Sequence, residues 1–321
     1  MPLPIAGSFE NPETPATRET KDAKADAKLP QKRFSGGRSA PSKRGLSLDK
    51  TDKRHSVVKI ISNRQSASKL LENFVDEEEA GVTMPARVQD EPGFILHSWE
   101  WSETSQLLDV LSLHYGRVFI VAKGAKRPSS RVKGLLTGFC PLLFSWSGKR
   151  EGKNLTKVEW LGSLMPLTGE SLMSGFYVNE LIIKFCAREE VHPGLFADYV
   201  SVMDALSSGE KEGIQPALRH FEKRILTLAG WEPGTKEYPA AEHYVVSEGI
   251  LRGVSEKSEV AEGTTRYSRA AVKALIEEDF QAKSTQRELR DMLRELIQCH
   301  LGDRMINTRR ILAELKQLSR G

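Results

Sequence analysis

Near Pro166 the hydrophobic rhythm of this chain changes, and that change limits what it can fold into. Before it, apolar residues come in five short runs, Phe94–Trp101, Gln106–Ser112, Val118–Lys123, Pro141–Trp146 and Leu155–Leu161, each of strand length. Gly116, Gly124, Gly148 and Gly152 stand between these runs or at their ends, where a chain has to turn. After it, Leu172, Phe176, Tyr177, Leu181, Lys184 and Phe185 recur at helical steps, followed by Leu195, Phe196, Tyr199, Met203 and Leu206. Leu218, Phe221, Ile225 and Leu228 make a third such face, and Pro193 sits near the start of the second, where its missing N–H costs little. Gly230 to Tyr267, with Trp231, Pro233, Gly234 and Gly249, reads as a loop or a small strand insert. Helical spacing returns over Arg269–Phe280, Gln286–Cys299 and Thr308–Leu318. The pattern predicts an α+β chain, with a small five-stranded barrel over residues 91–165 and a helical domain over 166–321. An SH3-like barrel fits the strand spacing nearly as well as an OB barrel does.

Ahead of the barrel, residues 1–90 have only Phe9, Phe34 and Phe74 as aromatics, too little apolar matter to offset the entropy of ordering them. They are expected to form a disordered, low-complexity extension. Its stretch from Lys28 to Lys59 holds ten Lys or Arg against Asp49 and Asp52, an arm suited to nonspecific phosphate contacts. Met84 lies just ahead of Phe94, so a start at Met84 is the other reading of the extension.

Composition excludes several classes. Of 321 residues, 39% are hydrophobic, enough for the cores of two domains. No run approaches the roughly 18 apolar residues of a membrane span, which predicts a soluble, cytoplasmic protein. Cys140, Cys186 and Cys299 lie far apart without CxxC spacing, as reduced thiols do, and their apolar neighbours predict core packing. No GxxxxGK[ST] loop and no carboxylate cluster is present, and the histidines are scattered. No catalytic residue, metal or cofactor is therefore expected, and the chain does not read as an enzyme.

Net charge is only +4, but its distribution is uneven. From Val110 to Arg150 there is no Asp or Glu, against eight Lys or Arg. Within that stretch the run Val118–Val121 opens into a turn-rich loop carrying Lys123, Lys126, Arg127, Arg131 and Lys133, a one-signed field whose natural partner is a polyanion. Flexible bases on a loop reach phosphates whatever the sequence, so these five are the candidate residues for binding nucleic-acid phosphates. Trp99 and Trp101 lie two apart on one strand face, as base-stacking aromatics do, although with Trp146 they read more simply as filling or covering the barrel.

The segments FILHSWEWSETSQLLDVLSLHYGRVFIVAKGAKRPSSRVKGLL, GFYVNELIIKF, LFADY, ALRHFEKRIL and LGDRMINTRRIL resemble, in order and spacing, the bacterial RecO family of recombination mediators in the RecF pathway of DNA repair. The resemblance runs from about Pro92 to Leu318 and implies an OB-fold barrel followed by a helical domain. It implies ATP-independent binding of single- and double-stranded DNA, annealing of complementary strands, and, with RecR, loading of RecA onto strands coated by single-stranded DNA-binding protein, in the cytoplasm at the nucleoid. It further implies that the helical domain receives that protein's acidic, Phe-ending tail, placing Arg219 against the carboxyl terminus with Leu218, Phe221 and Ile225 as the apolar slot. The carboxy-terminal signature matches at His300 to Leu312, where Arg304 and Arg309 are candidate DNA contacts and the bland reading is a turn that docks the last helix, with Asn307 or Thr308 as its cap. Some relatives carry a cysteine zinc motif in the insert; here Ala240, Ala241, Glu242 and His243 stand there, and zinc is not expected. The alternative is an OB-type nucleic-acid or RNA-binding module that does not anneal.

Overall fold

The structure is a computed structural model that describes residues 85–148, 152–162, 166–231, 241–255, 261 and 263–318. Most of the expected extension, residues 1–84, lies outside them. Its last residues correct the expected boundary, because Arg87–Asp90 already belong to the first strand.

Five strands close a barrel: β1 (Arg87–Glu100), β2 (Gln106–Ser112), β3 (Gly116–Ala122), β4 (Leu142–Ser147) and β5 (Gly152–Trp160), in the order β1-β2-β3-β5-β4. Only the β3–β5 closure is parallel. This is the OB arrangement, which decides between the two barrels that spacing alone allowed. β1 is long enough to serve two neighbours, β4 with its first half and β2 with its second, and it bends at bulges between Val88 and Glu91 and between Ile95 and His97.

Alternation along the strands fills two cores at once. Ile95, Leu108, Val110, Val118, Ile120, Phe144 and Trp146 face the barrel interior. Phe94, Leu96, Leu111 and Leu113 face outward and join the core of the helical domain. That is why the middle of β1 reads as a continuous apolar run and not as an alternating one.

The helical domain begins with α1 (Gly169–Phe185), α2 (Pro193–Ser208) and α3 (Lys211–Leu228). The insert is the small-strand alternative: β6 (His243–Ser247), β7 (Ile250–Val254) and β8 (Tyr267–Ser268) form a sheet in the order β7-β6-β8. Then come α4 (Arg269–Glu277), α5 (Gln286–Leu301) and α6 (Asn307–Leu318). Pro193 opens α2, and the Ser268 side chain caps α4 by accepting from the Ala271 N–H. Of the thiols only Cys186 is buried, where desolvation pushes it up to about 12. Cys299 is exposed on α5, against the expectation of core packing, because it lies off that helix's buried stripe.

Polar contacts lock barrel to helices. The Arg117 guanidinium donates to both oxygens of fully buried Asp109 at 2.6 to 3.0 Å, and its Nη1 donates to the carbonyls of Ile183 and Cys186 at 2.9 and 3.1 Å. The cation thus bonds orphan carbonyls at the end of α1. Asn179 Nδ2 donates to the Leu96 carbonyl, and Tyr199 donates to Asn179 Oδ1. Beside them Gly116 has φ +63, and a Cβ there would lie 1.9 Å from the Glu190 carbonyl oxygen. Gly116→Ala is therefore expected to cost more than about 2 kcal/mol in urea unfolding, from left-handed strain plus the forced retreat of backbone. A midpoint within error of the parent would mean that this junction gives way freely.

Candidate nucleic-acid interface

Between β3 and β4 the chain crosses one end of the barrel in successive turns, with Arg127, Ser130 and Leu135 N–H groups donating to the carbonyls of Gly124, Arg127 and Val132. Ala125 and Leu136 are buried in the barrel core, and Val132 and Leu135 pack against it. The Lys126 N–H donates to the Thr104 carbonyl at 2.9 Å, which laces this loop to the β1–β2 turn. The apolar residues hold the loop down and the bases between them are left outside. Lys123, Arg127, Arg131 and Lys133 are exposed. Lys126 is half-buried, and its Nζ donates to Glu100 Oε1 at 2.8 Å. That bond, and then the lysine's charge, hold the Glu100 carboxyl below its usual range.

The tryptophans do not share one role. Trp146 is fully buried in the barrel, but Trp99 and Trp101 are 39% and 62% exposed, which corrects the filling half of the reading of all three as filling or covering it. The Trp99 ring meets His97 and Phe119 edge-on at 4.4 and 5.7 Å, and the Arg188 guanidinium lies 3.7 Å from the Phe119 centroid.

On α3 the expected apolar slot is corrected as well. Leu218, Phe221 and Ile225 are 6%, 0% and 0% exposed, part of the helical core, so they offer no open slot. Arg219 is buried with them. Its Nη2 donates to Glu222 Oε1 at 3.0 Å, and the Tyr177 hydroxyl donates to the same oxygen at 2.7 Å. Arg219 Nε lies 2.9 Å from Glu222 Oε2, close enough to pair by charge but not aligned as a hydrogen bond, and its Nη1 is buried with no partner among the described residues. Arg309 Nη2 donates to the Tyr177 hydroxyl at 2.6 Å. Burial, and then the charges of Arg309 and Arg290, pull the Arg294 pKa down. Burial, and then Glu222, push the Tyr177 phenol well up. Arginines from three helices therefore crowd one buried carboxylate.

The carboxy-terminal bases Arg304 and Arg309 make bonds within the chain. Arg309 is committed to Tyr177, and Arg304 Nη1 donates to the Lys184 carbonyl at 3.2 Å. Neither Asn307 nor Thr308 caps α6 with its own side chain as expected: the Glu180 carboxylate on α1 accepts from both their N–H groups and from the Thr308 hydroxyl. Burial raises the Glu180 carboxyl, but those bonds and Lys184 outweigh it and hold it below the usual range. This region docks the last helix. Sequence reasoning missed Asp109, Arg117, Glu180 and Glu222; Arg117, Glu180 and Glu222 each have a partner remote in the chain, and for Asp109, which pairs with Arg117 eight residues on, an apolar strand interrupted by a lone charge was the available signal.

Among the described residues no three His, Cys, Asp or Glu side chains gather as metal ligands, and no helix is long and apolar enough to cross a membrane.

Barrel and helices together define an OB-barrel protein with a helical second domain and a basic loop across one barrel end. The family model for the recombination protein O N terminal matches residues 87–164, and that for its C terminal matches 166–310. The chain is 40% identical over 240 residues to the DNA repair protein RecO of Paraburkholderia xenovorans (strain LB400), covering 72% of this chain and 79% of that one. It is 39% identical over 243 residues to the protein of that name in Ralstonia nicotianae, covering 72% and 86%, and 39% identical over 241 residues to that of Polynucleobacter necessarius, covering 72% and 98%. The chain belongs to the RecO family.

Proposed function

We propose that this chain is a DNA repair protein that mediates recombination by holding strands on the basic end of its barrel. It binds single- and double-stranded DNA whatever the sequence, anneals complementary strands without ATP, and with RecR loads RecA onto strands coated by single-stranded DNA-binding protein. One observation carries this reading: the loop from Lys123 to Lys133 is pinned to the barrel by Ala125, Leu136 and the Lys126–Thr104 bond, while four of its five bases are exposed. An array of exposed cations releases counterions from phosphates, and such contacts carry no sequence information. Two strands that repel each other in solution are brought to high effective concentration on such a surface.

Capture of the coating protein's acidic tail falls, in this proposal, to the arginines around Glu222. Among the described residues Arg219 Nη1 has no partner, and Arg294 is the more exposed member able to meet a carboxylate first. The tail's aromatic end then needs apolar surface other than Phe221 and Ile225.

Fluorescence anisotropy with unrelated oligonucleotides of equal length tests the DNA reading; affinities should agree within a few-fold and fall steeply with salt, and a strong sequence preference would contradict it. Glu100 competes with phosphate for Lys126, so Glu100→Gln is expected to tighten binding about two- to fivefold and to steepen the salt dependence by up to about one unit. Weaker binding by this variant would mean that the ion pair shapes the loop instead.

A further inference from the structure

We propose that Trp99 and Trp101 form a stacking platform for unpaired bases, so that this end of the barrel favours single strands over duplex. The inference rests on the reading of the loop as a phosphate-binding surface. A tryptophan gains more from burial than almost any other side chain, as Trp146 shows inside the same barrel, yet these two present wide faces to solvent. Their place is specific. Trp99 is the penultimate residue of β1, and Trp101 opens the turn whose Thr104 carbonyl accepts from Lys126. Glu100, between them, is bonded to that same lysine. The two tryptophans therefore flank, along the chain, the residue that binds the loop's Lys126, which puts aromatic and basic residues at the same end of the barrel.

The platform is also held in place. Trp99 is wedged edge-on between His97 and Phe119, and Phe119 is in turn covered by Arg188, so little side-chain freedom is lost when a base arrives. The occupant this chemistry fits is an unpaired nucleobase of single-stranded DNA. Every base has a π-face to offer, so the contact adds affinity without sequence preference, whereas a base inside a duplex is already stacked on its neighbours. The loop then serves both kinds of DNA, and the tryptophans only one.

Trp160 provides an internal control. It is exposed too, but it lies at the end of β5 opposite Leu142, which pairs with Gly93, six residues of β1 before Trp99 and about 20 Å along the strand.

Affinities of the full chain for an oligonucleotide, alone and as a duplex, would be measured across a salt series for Trp99→Ala/Trp101→Ala, for Trp99→Phe/Trp101→Phe and for Trp160→Ala. The alanine pair should lose on the order of ten- to a hundredfold for single strands and less than about threefold for duplex, with an unchanged salt slope. The phenylalanine pair, which keeps flat rings, should recover most of the loss, and Trp160→Ala should bind like the parent. Equal losses for single strand and duplex, no loss, or no recovery with phenylalanine would overturn the platform while leaving the loop as the DNA site. Absence of salt-dependent binding in the parent chain would overturn both readings.

Discussion

Replacing Arg117 with Met is expected to cost about 3 to 5 kcal/mol of folding stability, the largest effect of any single change considered. The loss does not come from the ion pair's own attraction, which desolvation largely offsets. It comes from what is left behind: Asp109, with no exposure at all, loses its partner, and so do the carbonyls of Ile183 and Cys186. The two changes should therefore be strongly non-additive. Asp109→Leu combined with Arg117→Met should recover a large part of the loss, because a packed apolar pair leaves no buried charge. Urea unfolding of the two single variants and the double variant reads this directly. A loss below about 1 kcal/mol for Arg117→Met would mean that water reaches Asp109 and that the barrel is held to the helices without this ion pair, by Phe94, Leu96, Leu111, Leu113 and the Asn179 bond to Leu96.

The second large effect is on binding. Lys126→Ala, Arg127→Ala and Arg131→Ala together are expected to flatten the dependence of log affinity on log salt by about two to three units, for single and double strands alike, since each neutralised phosphate contributes about 0.9 in duplex and about 0.7 in single strands. Affinity at moderate salt should fall about tenfold or more. Lys126 contributes least because it must first leave Glu100. Stability should hardly change, because the loop is held by Ala125, Leu136 and backbone bonds that the substitutions spare. A slope equal to the parent's would make the loop a solvated face.

The five strands and the main helices were legible because glycine spacing and the change from alternating to helical periodicity are local signals. β1 was the exception at its start: the extension was read to run to Asp90 and the first strand to open at Phe94, whereas the strand begins at Arg87 and a bulge lets it run through, with Asp90 at φ 51. Glu91 itself is buried and accepts from the Ser112 hydroxyl and from His114, bonds that no neighbouring residue announces. The basic loop was legible as a charge run, but the Lys126–Glu100 pair, made across the barrel end, was not. Arg219 stands in a sequence of bases with His220, Lys223 and Arg224 and so looked like surface. Tyr177 of α1 and Arg309 of α6 arrive from far along the chain to enclose it. For Trp99 and Trp101, alternation predicted a shared strand face, but β1 ends at Glu100 and Trp101 begins the turn; their exposure was not legible in the sequence.

The account's central claim is that binding alone drives strand pairing on this barrel, and annealing measured without nucleotide tests it most directly. Complementary strands, bare and coated with single-stranded DNA-binding protein, would be mixed with the purified chain in chelator and without ATP, beside the loop triple variant. The account predicts annealing well above the spontaneous rate for the parent chain in both cases, and a large loss for the variant. Annealing that requires ATP hydrolysis or a divalent ion, or a triple variant as active as the parent, would contradict it.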